Sequence, residues 1–230
     1  MSGQCISRLK KKARAIDSAL TRIYGRHEVE YEENPIDTLV ETILSQNTTD
    51  KNSHQAYRSL RVSYPRWEKM LSADPRKVAR IIRSGGLADI KARRILDALR
   101  FIEAERGKLD LDFLRNMAPS EADSWLARMK GVGPKTRSIV LLFSLRMPAF
   151  PVDTHIHRVT RRLGLIGPKT DRESAQDELA LLVREEEFYN FHINLIEHGR
   201  AICQARKPKC ELCKISRFCD YFATLAKVRT

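Results

Sequence analysis

Cysteine is nearly absent from most of this chain. Cys5 stands alone, and the other four of the five cysteines crowd into the stretch from Cys203 to Cys219. That distribution argues against a disulfide-stapled fold, whose bridges are spread through the sequence and need an oxidising compartment. Long apolar runs are missing too, so no segment approaches the length of a membrane span. Arg8, Lys10, Lys11, Lys12 and Arg14 give a basic N-terminus, but the apolar core of a secretory signal does not follow. Sustained period-2 alternation and Asn-Gly hairpin signals are lacking, which removes the usual marks of a β fold. Acidic residues are the scarce charge: 29 Asp and Glu against 42 Lys and Arg leave a formal net charge of +13. The excess calls for a polyanionic partner, nucleic acid first and an anionic membrane surface second. A soluble, cytoplasmic protein without a secretion signal is expected, with its thiols kept reduced.

What is present reads as helix almost throughout. The 230 residues suffice for one large domain or two small ones. Asn34-Pro35 is an N-cap followed by proline at the first helical position. Ile36, Leu39, Val40, Ile43 and Leu44 then form one apolar stripe. Further helices are predicted over 50–63, 75–83, 89–105, 120–129, 134–146, 154–163, 171–185 and 189–203, with Ser120 and Asp123 resembling a capping box. Glycines at 85–86 and 131–133 punctuate the pattern, and Pro148 and Pro151 mark a passage between two helical lobes. The acidic stretch Glu28, Glu30, Glu32 and Glu33 reads as a solvated loop.

Cys203, Cys210, Cys213 and Cys219 form a C-x6-C-x2-C-x5-C array. Four thiolates in so short a stretch need a cation to offset their charge, which predicts a soft metal centre. One Cys-x-x-Cys knuckle, where zinc ribbons carry two, and long unequal gaps favour an iron–sulfur cluster, but spacing alone leaves zinc open.

Met129-Lys130-Gly131-Val132-Gly133-Pro134-Lys135-Thr136 lies between two helical segments. Two glycines around one apolar residue allow a tight reversal whose amides can face a phosphate. Lys135 falls in the first turn of an apolar helix, where the helix dipole and partial desolvation are expected to favour a neutral amine. Such an amine suits Schiff-base chemistry, and a charged one would serve as a phosphate ligand. Asp153, in Val152-Asp153-Thr154-His155, reads as an N-cap whose second oxygen is free to stabilise a cation or take a proton.

Three elements in order now resemble endonuclease III, a DNA glycosylase family of the helix-hairpin-helix–Gly/Pro–Asp superfamily. They are Gly131 to Thr136, Val152 to His155, and His198-Gly199-Arg200 running into the cysteine array. Leu44-Ser45-Gln46-Asn47-Thr48-Thr49-Asp50 and Gly86-Leu87-Ala88-Asp89-Ile90-Lys91-Ala92 are similar as well. The resemblance covers roughly residues 34–220. It implies an all-α fold of two helical lobes with a DNA-binding cleft between them. A six-helix lobe would span 37–147, and residues 1–36 with 148–230 would form a lobe holding a [4Fe–4S] cluster on the four cysteines. Lys135 would be the nucleophile at C1′ and Asp153 its assistant. The chain would be a monomer, nucleoid-associated, acting on double-stranded DNA with oxidised pyrimidines or abasic sites. Chemistry at C1′ needs a flipped nucleotide. Leu87 would wedge into the stack. Gln46 or Asn47 would pair with the orphaned base. Lys130, Gly131 and Gly133 would hold the backbone from the hairpin, and Arg206, Lys207 and Lys209 from the cysteine loop. His155 and His157 are expected to be structural or to face phosphate.

This chain departs from the family at three points: Lys130 precedes the first hairpin glycine, Asn47 stands for a longer glutamine, and Ala88 for an aromatic. Two alternatives fit part of the pattern. A monofunctional mismatch glycosylase shares the cysteine array but lacks the hairpin lysine. A non-catalytic DNA-binding iron–sulfur protein would use Lys135 only for phosphate.

Overall fold

The structure, a computed structural model, describes residues 3–28 and 34–228, and side chains as far as 225. Of the acidic stretch, Glu28 is exposed, and Glu30, Glu32 and Glu33 lie outside the described residues. Eleven α-helices appear among the described residues, with no strand: α1 (Gly3–Tyr24), α2 (Pro35–Ser45), α3 (Asp50–Ser63), α4 (Pro75–Ile81), α5 (Ala88–Arg106), α6 (Pro119–Ala127), α7 (Pro134–Ile139), α8 (Thr154–Leu163), α9 (Arg172–Leu182), α10 (Phe188–Ala201) and α11 (Asp220–Val228). The chain divides into two compact units, Met1–Glu30 with Pro148–Thr230, and Tyr31–Met147.

In the unit of residues 31–147, α2 is the central element and packs on α3, α5 and α7. Its start is the predicted one: the Asn34 side chain accepts from the Ile36 amide at 2.9 Å, and Pro35 occupies the first turn. Ile36, Leu39, Val40, Ile43 and Leu44 are all buried. Each such side chain contributes about 2 kcal/mol by leaving water. Trp125 meets the Phe113 ring edge-on and the Phe101 ring at a tilt, forming a second apolar cluster where α5 meets α6.

Two local expectations are corrected. The cap of α6 lies two residues before Ser120: Glu121 accepts from the Ala118 amide at 2.9 Å and Pro119 opens the helix. Asp123 instead pairs with Arg137 at 2.8 Å. The helix expected over 134–146 stays α-helical only to Ile139 and then widens into a π-turn over Val140–Ser144. The Ser144 carbonyl is taken by Arg115 at 2.7 Å, and its hydroxyl meets Thr38 at 2.7 Å, so the chain end is held by partners outside the helix.

In the other unit, α1 and α8 pack on α10, and α11 packs on α8. Ile16, Leu20, Phe150, Ile156, Phe191 and Leu195 are buried there. Beside them lies a polar cluster. Arg26 and Arg184 both pair with the buried Glu187, at 2.5 and 3.0 Å, while Asn190 donates to Asp17 at 3.1 Å and to Thr21 at 2.9 Å. Burial, and then the Glu187 charge, push the Asp17 carboxyl up to about 6. A carboxyl raised in the fold favours folding below its unfolded value of 3.8, and that contribution is lost as pH rises through about 6. Asp17→Asn is therefore expected to raise stability at pH 8 by about 1 kcal/mol, discounted for the part that faces water, and to leave it unchanged at pH 4. Thermal melts of both proteins at the two pH values check this.

Candidate functional site

The hairpin between α6 and α7 reverses at Gly131, which adopts φ +85°. A Cβ there would lie 2.8 Å from the Arg94 Cγ and Cδ atoms, so side-chain space and backbone conformation both require glycine. Met129 and Val132 are buried and anchor the turn, while Lys130 is exposed. Gly133 is the N-cap of α7 and Pro134 its first residue. Thr136 and Ser138 are buried, and Lys135 is exposed. The expected partial desolvation of Lys135 is thus corrected: the buried face of this short helix turns the other way and leaves the lysine in solvent.

Gln46 closes α2 and is bound into the same region. Its side-chain oxygen accepts from Arg94 at 2.6 Å, and its amide nitrogen donates to the Thr136 hydroxyl at 3.3 Å. Both ends of this amide are engaged, whereas Asn47 is exposed and held at φ 52°. Leu87 is 52% exposed, an unusual setting for a leucine, at φ 48°. It lines an open cavity of about 830 Å³ with Arg76, Arg80 and Arg83. None of these three exposed guanidinium groups has an ion-pair partner among the described residues. Sequence reasoning passed over Arg94, Arg76, Arg80 and Arg83. The i, i+4, i+7 spacing of the last three was a legible signal, and the Arg94 contacts were not.

In the unit of residues 1–30 and 148–230, Asp153 caps α8, accepting from the Ile156 amide at 2.7 Å. Its other carboxylate oxygen has no hydrogen bond from the described residues. The two histidines that follow have internal partners: His155 Nδ1 meets Arg158 at 3.1 Å, and His157 Nε2 meets the Thr170 carbonyl at 2.7 Å. Arg158 donates to the carbonyls of Gly199 and Cys203, both at 2.9 Å, and Arg162 to those of Gln204 and Ala205, at 2.7 and 3.0 Å. Two arginines of α8 thereby tie down the start of the cysteine loop.

Cys203, Cys210, Cys213 and Cys219 are free thiols that line one pocket with His198 and Tyr221. Burial, reinforced by the neighbouring cysteines, pushes the Cys213 thiol up to about 11, and Cys219 is raised for the same reasons. Burial holds His198 down to about 4, and its ring sits between Tyr24 at 3.1 Å and the Cys213 sulfur at 3.6 Å. Among the described residues no three His, Cys, Asp or Glu side chains converge tightly enough for a single metal ion. Arg206, Lys207 and Lys209 are exposed on the loop. Lys135, with the hairpin, and Asp153, with the cysteines, belong to different units.

A family profile described as "HhH-GPD superfamily base excision DNA repair protein" matches residues 40–185. The chain is 38% identical over 176 residues to a putative DNA glycosylase of Arabidopsis thaliana, covering 76% of this chain and 60% of that protein. It is 35% identical to the endonuclease III of Sulfolobus acidocaldarius, covering 82% of this chain and 83% of the relative, and 31% identical to that of Thermotoga maritima, covering 85% and 87%. A solved structure described as a trapped endonuclease III–DNA covalent intermediate superposes with a TM-score of 0.81 at 25% identity, over 94% of this chain and 98% of that one. The all-α fold is thereby that of endonuclease III, and the chain belongs to the endonuclease III family of the HhH-GPD superfamily.

Proposed function

We propose that the protein is a bifunctional DNA glycosylase and abasic-site lyase that removes oxidised pyrimidines, such as thymine glycol, from duplex DNA. The observation that carries this reading is a solvent-accessible lysine, Lys135, directly behind a phosphate-type hairpin in a chain that superposes on a trapped endonuclease III–DNA intermediate. The Lys135 amine donates its lone pair to C1′ as the glycosidic bond breaks, and the base departs with that bond's electrons and gains a proton. The adduct loses an amine proton, the C1′–O4′ bond opens with O4′ taking a proton, and the resulting iminium acidifies the C2′ proton. Its loss expels the 3′ phosphate by β-elimination, and water then releases the enzyme. The Asp153 carboxylate stabilises the cationic sugar and accepts a proton from the amine, using the oxygen that does not cap α8. Asn47 reads the orphaned base, with Gln46 behind it, and Leu87 fills the gap in the stack. Lys130, Gly131 and Gly133 in the hairpin, and Arg206, Lys207 and Lys209 in the cysteine loop, contact the phosphates.

Cys203, Cys210, Cys213 and Cys219 would hold a [4Fe–4S] cluster, which supplies a covalent brace for the loop. The donor set fits it: four free thiols share one pocket, and burial disfavours the bare thiolate at Cys213 and Cys219, which a cationic centre would stabilise. No described helix is long and apolar enough to cross a membrane. The proposal places the enzyme as a monomer in the cytoplasm, on the nucleoid.

Borohydride should trap wild-type protein covalently on thymine-glycol duplex, and Lys135→Gln should abolish the trap and slow strand cutting on the order of 10³-fold. Normal trapping by the variant would rule out Lys135 as nucleophile, and base release without scission would point to a monofunctional enzyme. Asp153→Asn keeps the N-cap, so an unchanged melting temperature with single-turnover excision slowed about 10²-fold is expected. Cys213→Ser should lower the melting temperature and the affinity for duplex DNA. Intact binding with loss of the chemical step alone would overturn the bracing role.

A further inference from the structure

We propose that Lys91 is a positioning residue that holds the wedge leucine and the base-reading asparagine as one rigid device; this rests on the glycosylase reading above. Lys91 is 1% exposed and heads the fully buried side chains of the protein. A lysine is almost never buried without a reason. Its surroundings disfavour the charge, through burial first and then Arg94. No carboxylate among the described residues pairs with it. Its amine instead donates to two main-chain carbonyls, Leu44 at 2.6 Å and Gly85 at 2.7 Å.

Those two carbonyls stand just before two different loops. Leu44 lies in the last turn of α2, just before Gln46 and Asn47. Gly85 closes the turn before Gly86 and Leu87. Among the described residues, three that are not glycine have positive φ: Asn47 at 52°, Leu87 at 48° and Arg146 at 55°. Two of the three are thus the proposed reader and wedge, and each follows within three residues of a carbonyl held by Lys91. A left-handed conformation is disfavoured for any residue with a Cβ and persists only where its surroundings over-determine it. Lys91 supplies a fixed point for both loops. The α5 helix adds a third constraint, because the Lys91 amide donates back to the Leu87 carbonyl at 3.0 Å.

One side chain therefore sets the spacing between Asn47 and Leu87, the two groups that must enter the duplex together. Rigid prongs lose less freedom on insertion than mobile ones. The benefit is largest where a paired base must be displaced and smallest at an abasic site, which has no base to expel.

Lys91→Met keeps the length of the stem and removes the donor. Single-turnover excision of base-paired thymine glycol should fall at least about 10-fold, with cutting at an abasic site changed less than about 3-fold. Insertion is read ahead of bond cleavage in the Lys135→Gln background by the fluorescence of 2-aminopurine beside a base-paired thymine glycol, and the signal change should shrink when Lys91→Met is added. In a double-mutant cycle, Lys91→Met added to Leu87→Ala should cost little beyond Leu87→Ala alone. Equal losses on both substrates, additive losses in the cycle, or an unchanged signal would overturn the proposal. Should the Met variant melt at the assay temperature, Lys91→Gln, whose shorter stem cannot keep both carbonyls bonded, carries the same comparisons. Wild-type inactivity on every lesion would sink the glycosylase reading, and the fluorescence arm would still decide the role of Lys91.

Discussion

The reversal at Gly131 is the constraint on which the hairpin unit depends. A backbone at φ +85° lies against the Arg94 stem, in space that any Cβ would occupy. Because Arg94 is pressed there, its guanidinium can hold Gln46, and Gln46 in turn reaches Thr136, the neighbour of Lys135. Three helices, α2, α5 and α7, are thus joined by polar contacts beneath the exposed lysine, while the buried stripe of α2 supplies the apolar adhesion. A long flexible amine is a poor nucleophile unless its helix is fixed, so the proposed chemistry of Lys135 rests on contacts that Lys135 does not itself make.

The other unit solves a related problem by different means. The cysteine loop has little regular structure of its own. Arg158 and Arg162, one turn apart on α8, donate to four carbonyls around it. Asp153 caps the same helix. The proposed assisting carboxylate and the arginines that hold the cysteine loop therefore share one rigid element. A change at the cysteines would be felt first as disorder of the basic loop, since the arginine contacts hold only its N-terminal end.

Features governed by local periodicity and capping were legible in the sequence. The α2 stripe, the Asn34-Pro35 start and the Asp153 cap all appear as the residue pattern predicts, because one face, one cap and one proline decide them. The α6 start was misplaced because proline at 119 and the reach of Glu121 outweigh the cap preference of Ser120. The π-turn at 140–144 was hidden because its cause lies in Arg115 and Thr38, distant in sequence. The exposure of Lys135 was missed for a similar reason: an apolar sequence following a residue does not say which way its own face turns. Lys91 was legible only as one residue of a family-like stretch, and Arg94 only as one more cation in a basic chain. Their roles depend on carbonyls and an amide brought to them by the fold.

The cations of this protein divide by what they touch. Arg26, Arg94, Arg137, Arg158, Arg162 and Lys91 are committed to carboxylates, amides or main-chain carbonyls. Arg76, Arg80, Arg83, Lys130, Lys135, Arg206, Lys207 and Lys209 are exposed and have no ion-pair partner among the described residues. Arginine predominates in the first set because its planar fork can serve two acceptors at once. The second set keeps its charge uncompensated, which opposes folding slightly but leaves the charge available to release counterions from a polyanion. The net charge of +13 is thus carried in part by unpaired cations on the hairpin, beside the Leu87 cavity and on the cysteine loop.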